Sequence, residues 1–234
     1  MAKPTRYPSG VSTQYSRQTL GNLPFPDPTK VYMHFDDFSV YRAADWTVAT
    51  GVNAGAVASV AGQGGLIALT TAAVTAADFE TIVATPLDFN FVAGQEVWYS
   101  TYLKLSEITA SIALAGYVGS APGATLTPTS GIYFRKAAAT ATVDLVVRLA
   151  STSTTLSAVT TLVANTYVKL GFYYNGKDQI TAYINDVEAG SQVILTNLPV
   201  ATPLSHSFGV VSGETVVKTL TADWVLSSQA RTLP

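Results

Sequence analysis

The chain has 234 residues, no cysteine and a formal charge of −2. That excludes disulfide staples and thiolate metal sites, and it gives no basis for nucleic acid as the main partner. Charged residues make up 12 % and mean hydropathy is +0.28, so Thr, Ser and small residues cover a surface suited to permanent assembly.

A chain of this length fits one large all-β domain of about 200–250 residues, here preceded by a tail. Residues 1–30 contain Pro4, Pro8, Pro24, Pro26 and Pro28 with Gly10 and Gly21 and show no period of 2 or 3.6, so they are expected to form an extended arm. Four cations (Lys3, Arg6, Arg17, Lys30) against Asp27 make this arm +3, and the total of −2 leaves −5 for residues 31–234. Apolar anchors such as Tyr7, Tyr15, Leu20, Leu23 and Phe25 suit docking on another surface better than solvation. Lys3, Arg6, Tyr7, Tyr15, Arg17 and Phe25 are the arm's expected contact residues.

The basic start is not followed by an apolar stretch, so no signal peptide is expected. No apolar run approaches the ~20 residues of a membrane helix, and no Asn-x-Ser/Thr sequon occurs. With the missing cysteines, this points to synthesis in a reducing cytoplasm.

Residues 31–38 read as the first strand, with Val31, Met33 and Phe35 on one face, and Trp46-Thr47-Val48 follows. Strand-like runs at 55–61, 66–70 and 79–84 are separated by Gly62-Gln63-Gly64-Gly65 and by residues 71–78, where one helical turn is expected. Residues 96–105 alternate cleanly: Val97, Tyr99, Thr101, Leu103 and Leu105 lie opposite Trp98, Ser100, Tyr102 and Lys104. Further strands are expected at 111–118, 132–136 and 142–150, the last with Val143, Leu145, Val147 and Leu149 inward and Val146 outward. Residues 155–163 are ambiguous between strand and coil.

Residues 167–187 form the meander around which the chain is organised. Val168, Leu170, Phe172 and Tyr174, then Ile180, Ala182 and Ile184, face a core expected at the centre of the sandwich. Lys169, Tyr173, Thr181 and Tyr183 face away. Asn175-Gly176 and Asn185-Asp186 supply the turns. Strands at 192–195, 205–211 and 216–226 complete the chain, with Trp224 expected to close the core. A dozen short strands without an amphipathic helix define an all-β sandwich or jelly roll.

Catalytic signatures are sparse. Gly-x-Ser-x-Gly and phosphate-loop motifs are absent, and Gly62–Gly65 reads as a hairpin turn. Asp36 and Asp37 are consecutive and point to opposite faces, while Asp186 and Glu188 fall at a turn, so neither is the facing pair a glycosidase needs. His34 and His206 are far apart in sequence, and neither has a second metal-type ligand at a recognised spacing. Calcium at Asp36 or Asp37 has no spacing signature to test. No cofactor is expected. Two aromatic pairs, Trp98 with Tyr102 and Tyr173 with Tyr183, suit a sugar-stacking platform, a protein interface or sheet packing equally.

The order Tyr7-Pro-Ser-Gly, Leu20-Gly, Pro26-Asp-Pro-Thr-Lys30, Phe35-Asp-Asp-Phe38, Ala44-Asp-Trp-Thr47, Gly131-Ile-Tyr-Phe-Arg-Lys136, Leu170-Gly-Phe-Tyr-Tyr-Asn-Gly-Lys-Asp178, Ile184-Asn-Asp-Val187 and Thr196-Asn-Leu-Pro199 resembles a family of tailed-bacteriophage structural proteins. The strand pattern is similar to concanavalin A-like and laminin G-like jelly rolls, a fold that phage decoration or cement proteins use. The resemblance implies a non-enzymatic capsid decoration protein, made in the host bacterial cytoplasm and placed on the capsid surface of the virion. It would bind the major capsid protein and itself, as a homotrimer, with neither nucleic acid nor membrane as partner. The alternative expectation is a carbohydrate- or receptor-binding module of a head or tail fibre, with a glycan as partner; a glycoside hydrolase ranks third.

Overall fold

A computed structural model describes residues 29–86, 89–194, 196–200 and 202–231. The arm residues Lys3, Arg6, Tyr7, Tyr15, Arg17 and Phe25 lie outside the described residues.

Among the described residues there are fifteen strands. They are β1 Val31–Asp36, β2 Trp46–Thr50, β3 Ala56–Val60, β4 Leu66–Thr70, β5 Phe79–Ala84, β6 Val97–Leu105, β7 Ser111–Val118, β8 Gly131–Lys136, β9 Thr142–Leu149, β10 Thr152–Thr161, β11 Val168–Tyr174, β12 Gln179–Ile184, β13 Val187–Val193, β14 Ser205–Ser212 and β15 Thr219–Ala230. An eight-stranded sheet runs β13-β12-β11-β6-β15-β4-β3, with β1 beside the second half of β15, and a seven-stranded sheet runs β10-β9-β8-β7-β14-β5-β2. All pairings are antiparallel. The protein is an all-β sandwich.

Period-2 side chains build the core between the sheets. Val97, Tyr99, Leu103 and Leu105 of β6 and Val168, Leu170, Phe172 and Tyr174 of β11 meet Tyr117, Phe134, Leu145 and Phe208 from the other sheet. Fully burying one such side chain stabilises the fold by roughly 1.5–3 kcal/mol. A second cluster lies outside the smaller sheet, where Leu114, Tyr133, Val146 and Val211 pack with Leu126 from the 119–130 loop. Val146, expected outward into solvent, is therefore buried, because that loop folds over the face it points to.

Several other expectations need correction. The β11–β12–β13 meander forms one flank of its sheet, and β6 and β15 occupy the centre. Residues 71–78 contain no helix. There the Asp78 carboxylate accepts from the Thr75 N–H (3.0 Å) and from the Asn53 side-chain amide (3.0 Å), and such local capture competes with helical bonding. The helical turn among the described residues is instead a 3-10 turn, Ala43–Asp45. Residues 155–161 are strand, within a bulged β10 that ends at Thr161. Trp224 faces outward, since a bulge between Ala222 and Trp224 changes the facing of β15.

Two turns are as expected. Val60 pairs with Leu66 around Gly62–Gly65, and at Gly65 (φ +123°) a Cβ would lie 2.5 Å from the Phe38 carbonyl carbon. Asn185 and Asp186, both at positive φ, join β12 to β13.

Candidate functional site

The outer face of the eight-stranded sheet gathers six aromatic residues that the core does not use, Trp98, Tyr102, Tyr167, Tyr173, Tyr183 and Trp224. Alternation along β6 turns Trp98, Ser100, Tyr102 and Lys104 outward. Register then sets their neighbours: Trp98 stands opposite Tyr173 and Ser228, Ser100 opposite Gly171 and Leu226, and Tyr102 opposite Lys169 and Trp224. At the margin, β1 presents Met33 and Phe35, which are 40 % and 57 % exposed.

All four residues of the expected aromatic patch share this face, in two groups. In the first, Trp98 lies with ring centroids 5.1 Å from Tyr183 and 6.5 Å from Tyr173. In the second, Tyr102 stacks near-parallel to Tyr167 (4.8 Å, 23°) and Trp224 (6.4 Å, 23°). Lys104 Nζ sits 4.8 Å from the Tyr167 ring centre and Lys169 Nζ 5.5 Å from that of Trp224, so each ring is met by a cation as well as by Tyr102. Tyr167 precedes β11 and Trp224 follows a bulge, so strand periodicity did not select them.

Beside Trp98 is a cleft of about 130 Å³ lined by Val31, Glu96, Trp98, Tyr173, Ser228 and Ala230. Burial, together with a hydrogen bond to the Glu96 carboxylate, pushes the Tyr173 phenol up to about 12. The cleft thus has aromatic walls and a carboxylate at its rim. Val31 is also where residues 1–30 join the sandwich.

Elsewhere, folding pairs groups that are distant in sequence. The His34 and His206 rings lie 4.5 Å apart. His206 Nε2 is 2.6 Å from Ser227 Oγ, and burial, then the neighbouring His34, hold the His206 imidazole well below its ordinary range. A cavity of about 160 Å³ lies beside His34, Asp36 and Trp46. Among the described residues no group of three or more His, Asp or Glu is arranged to hold a metal ion. Asp36 and Asp37 accept from the backbone N–H groups of Phe38 (2.8 Å) and Ser39 (3.2 Å). Asp186 pairs with Lys169 at 2.5 Å, and Glu188 is exposed.

No protein-family model matches the chain, and no curated protein matches it. Solved structures do. A protein of unknown function from Shewanella oneidensis MR-1 matches with a TM-score of 0.56 at 14 % identity over 100 % of this chain and 98 % of that one. An endo-β-1,4-glucuronan lyase from Trichoderma reesei matches at 0.58 and 12 % over 85 % and 95 %. A Bacillus licheniformis β-glucanase matches at 0.58 and 11 % over 86 % and 98 %.

At these identities the likeness shows the fold, a concanavalin A-like jelly roll. It also corrects one expectation. A non-enzymatic protein was expected from the resemblance to phage structural proteins and the sparse catalytic motifs, but a lyase and a glucanase are built on this same sandwich, so the fold does not support that exclusion.

Proposed function

We propose that the chain is a subunit of a tailed-phage virion surface, a decoration protein that binds the major capsid protein through the side of the sandwich from which residues 1–30 depart. One observation carries the reading. Val31, the first strand residue after that segment, lines the same cleft as Trp98 and Tyr173, so the point where the segment joins the sandwich and the aromatic patch lie on one side of the molecule. The adjoining face is aromatic, with Met33 and Phe35 exposed, and such faces suit buried contacts between subunits. The resemblance to phage structural proteins supplies the partner, and a homotrimer on the capsid surface is the assembly it implies. Deleting residues 1–28 should abolish co-sedimentation with purified particles of the encoding phage while the sandwich keeps its circular dichroism; undiminished binding would overturn the proposal.

A second reading, carbohydrate recognition, is favoured by the cleft itself, where Trp98 and Tyr173 stand beside an acceptor carboxylate. Structures of the same fold include proteins named for glucuronan and β-glucan cleavage. A glycan array should then give a hit that Trp98→Ala loses. A blank array counts against it.

A further inference from the structure

The cleft beside Trp98 lies next to the end of a segment whose chemistry suits it. Thr29 and Lys30 form a turn immediately before β1, so the chain changes direction at the rim of the aromatic face. The six residues before that turn are Leu23, Pro24, Phe25, Pro26, Asp27 and Pro28. Prolines at alternate positions fix φ near −65° and favour an extended backbone with few donors. Aromatic-lined grooves take such segments at low entropic cost, because little freedom remains to be lost. Leu23 and Phe25 add apolar side chains between the prolines.

Reach agrees with chemistry. From β1 to β11 the sheet passes β15 and β6, three strand spacings or about 14 Å, while six extended residues span about 20 Å. Residues 23–28 can therefore run from Val31 across Ser228 and Trp98 to Tyr173, and are too short to go much further.

We propose that residues 23–28 of the same chain seat in the cleft formed by Val31, Glu96, Trp98, Tyr173 and Ser228. This fixes the root of the N-terminal segment on the aromatic face and leaves residues 1–22, about 70 Å of extended chain, to carry Lys3, Arg6, Tyr7, Tyr15 and Arg17 to a neighbour. It goes beyond the virion reading and stands without it, because the contact lies within one molecule.

The chain has no native cysteine, which makes a direct test clean. In the full chain, Phe25→Cys with Ser228→Cys should form a disulfide under mild oxidation. In a mixture of ¹⁴N- and ¹⁵N-labelled protein, the bridged peptides should carry a single isotope. Adding Trp98→Ala should slow bridge formation about tenfold, the effect of removing an aromatic anchor. Isotope-mixed bridges would place a second copy's segment in the cleft and overturn the proposal. So would a missing bridge when the introduced cysteines still react with maleimide, or a bridge indifferent to Trp98→Ala. Ala230→Cys, on the same rim, replaces Ser228→Cys if that variant does not fold. The protein itself is the probe, so failure here leaves the particle-binding result standing, and a glycan hit lost in Trp98→Ala would instead give the cleft to sugar.

Discussion

Trp98 and Tyr183 meet with ring centroids 5.1 Å apart although β11 runs between their strands. Strands two places apart are separated by about 9.6 Å, so the rings must lean over the intervening backbone. They do so beside Gly171, which pairs with Tyr183 and with Ser100 and puts no side chain between them. A Cβ there would lie 3.0 Å from the Tyr99 carbonyl oxygen and 3.4 Å from Ser100 Oγ. Gly171→Val should therefore cost about 1–3 kcal/mol through overpacking and change the near-ultraviolet circular dichroism of the aromatic group. An unchanged spectrum and melting temperature would show that the leaning rings do not depend on this glycine.

Much of this face is legible in the sequence because β6 and β11 alternate without interruption, so the sides taken by Trp98, Tyr102 and Tyr173 follow from period 2 alone. Trp224 was not legible: its facing depends on the bulge after Ala222, and no residue type announces a bulge. The His34–His206 contact was hidden for a different reason. It needs β1 to pair with β15 in one sheet while β14 lies in the other, and strand order is not written in local pattern. The second apolar cluster was missed because the 119–130 loop, rich in Pro, Gly and Thr, reads as surface chain although Leu126 within it is buried.

His206 should make the protein acid-sensitive. It is 1 % exposed, bonded to Ser227, and faced by His34 from β1, Tyr99 from β6 and Tyr117 from β7. Its imidazole pKa is held well below the ordinary value by burial and then by His34. Below about pH 6.5 an unfolded histidine takes up a proton that the folded one refuses, so the unfolded state binds more protons. Stability then falls as pH drops, by up to ~1.4 kcal/mol per pH unit from this group. Thermal melts at about pH 7.5 and 5 should show a larger acid loss in the parent than in His206→Gln; equal losses would refute the assignment.

Two buried lysines should respond oppositely to the same substitution. Lys218 is paired with Glu107 at 3.2 Å and with Glu214, so Lys218→Met should lower the melting temperature. Lys136 donates to the Ser111 carbonyl oxygen and, among the described residues, forms no ion pair. Burial lowers its pKa to about 8, with Glu107 opposing and Lys218 adding to the shift. Between about pH 8 and 10.5 the unfolded chain holds a proton that the folded chain has released, so stability rises with pH across that window and carries the full penalty below it. Lys136→Met should stabilise by about 1–4 kcal/mol at pH 7, and the gain should shrink towards pH 10. A destabilised Lys136→Met at pH 7 would mean that the Ser111 bond outweighs the cost of burial.

Glu96 and Tyr173 decide what the cleft offers a ligand. Burial is the larger cause of the raised Tyr173 phenol, and the Glu96 carboxylate adds to it by accepting the phenol proton and by disfavouring a second negative charge. In the full chain, the ¹³Cζ resonance of Tyr173 should titrate near pH 12, and Glu96→Gln should bring the midpoint down towards 10 without reaching it, because burial remains. A carboxylate occupied by Tyr173 has less acceptor capacity for sugar hydroxyls, which suits the apolar, proline-rich residues 23–26 better than a glycan. If Glu96→Gln leaves the midpoint unmoved, the carboxylate is turned away from the phenol, its lone pairs are available, and the cleft favours carbohydrate.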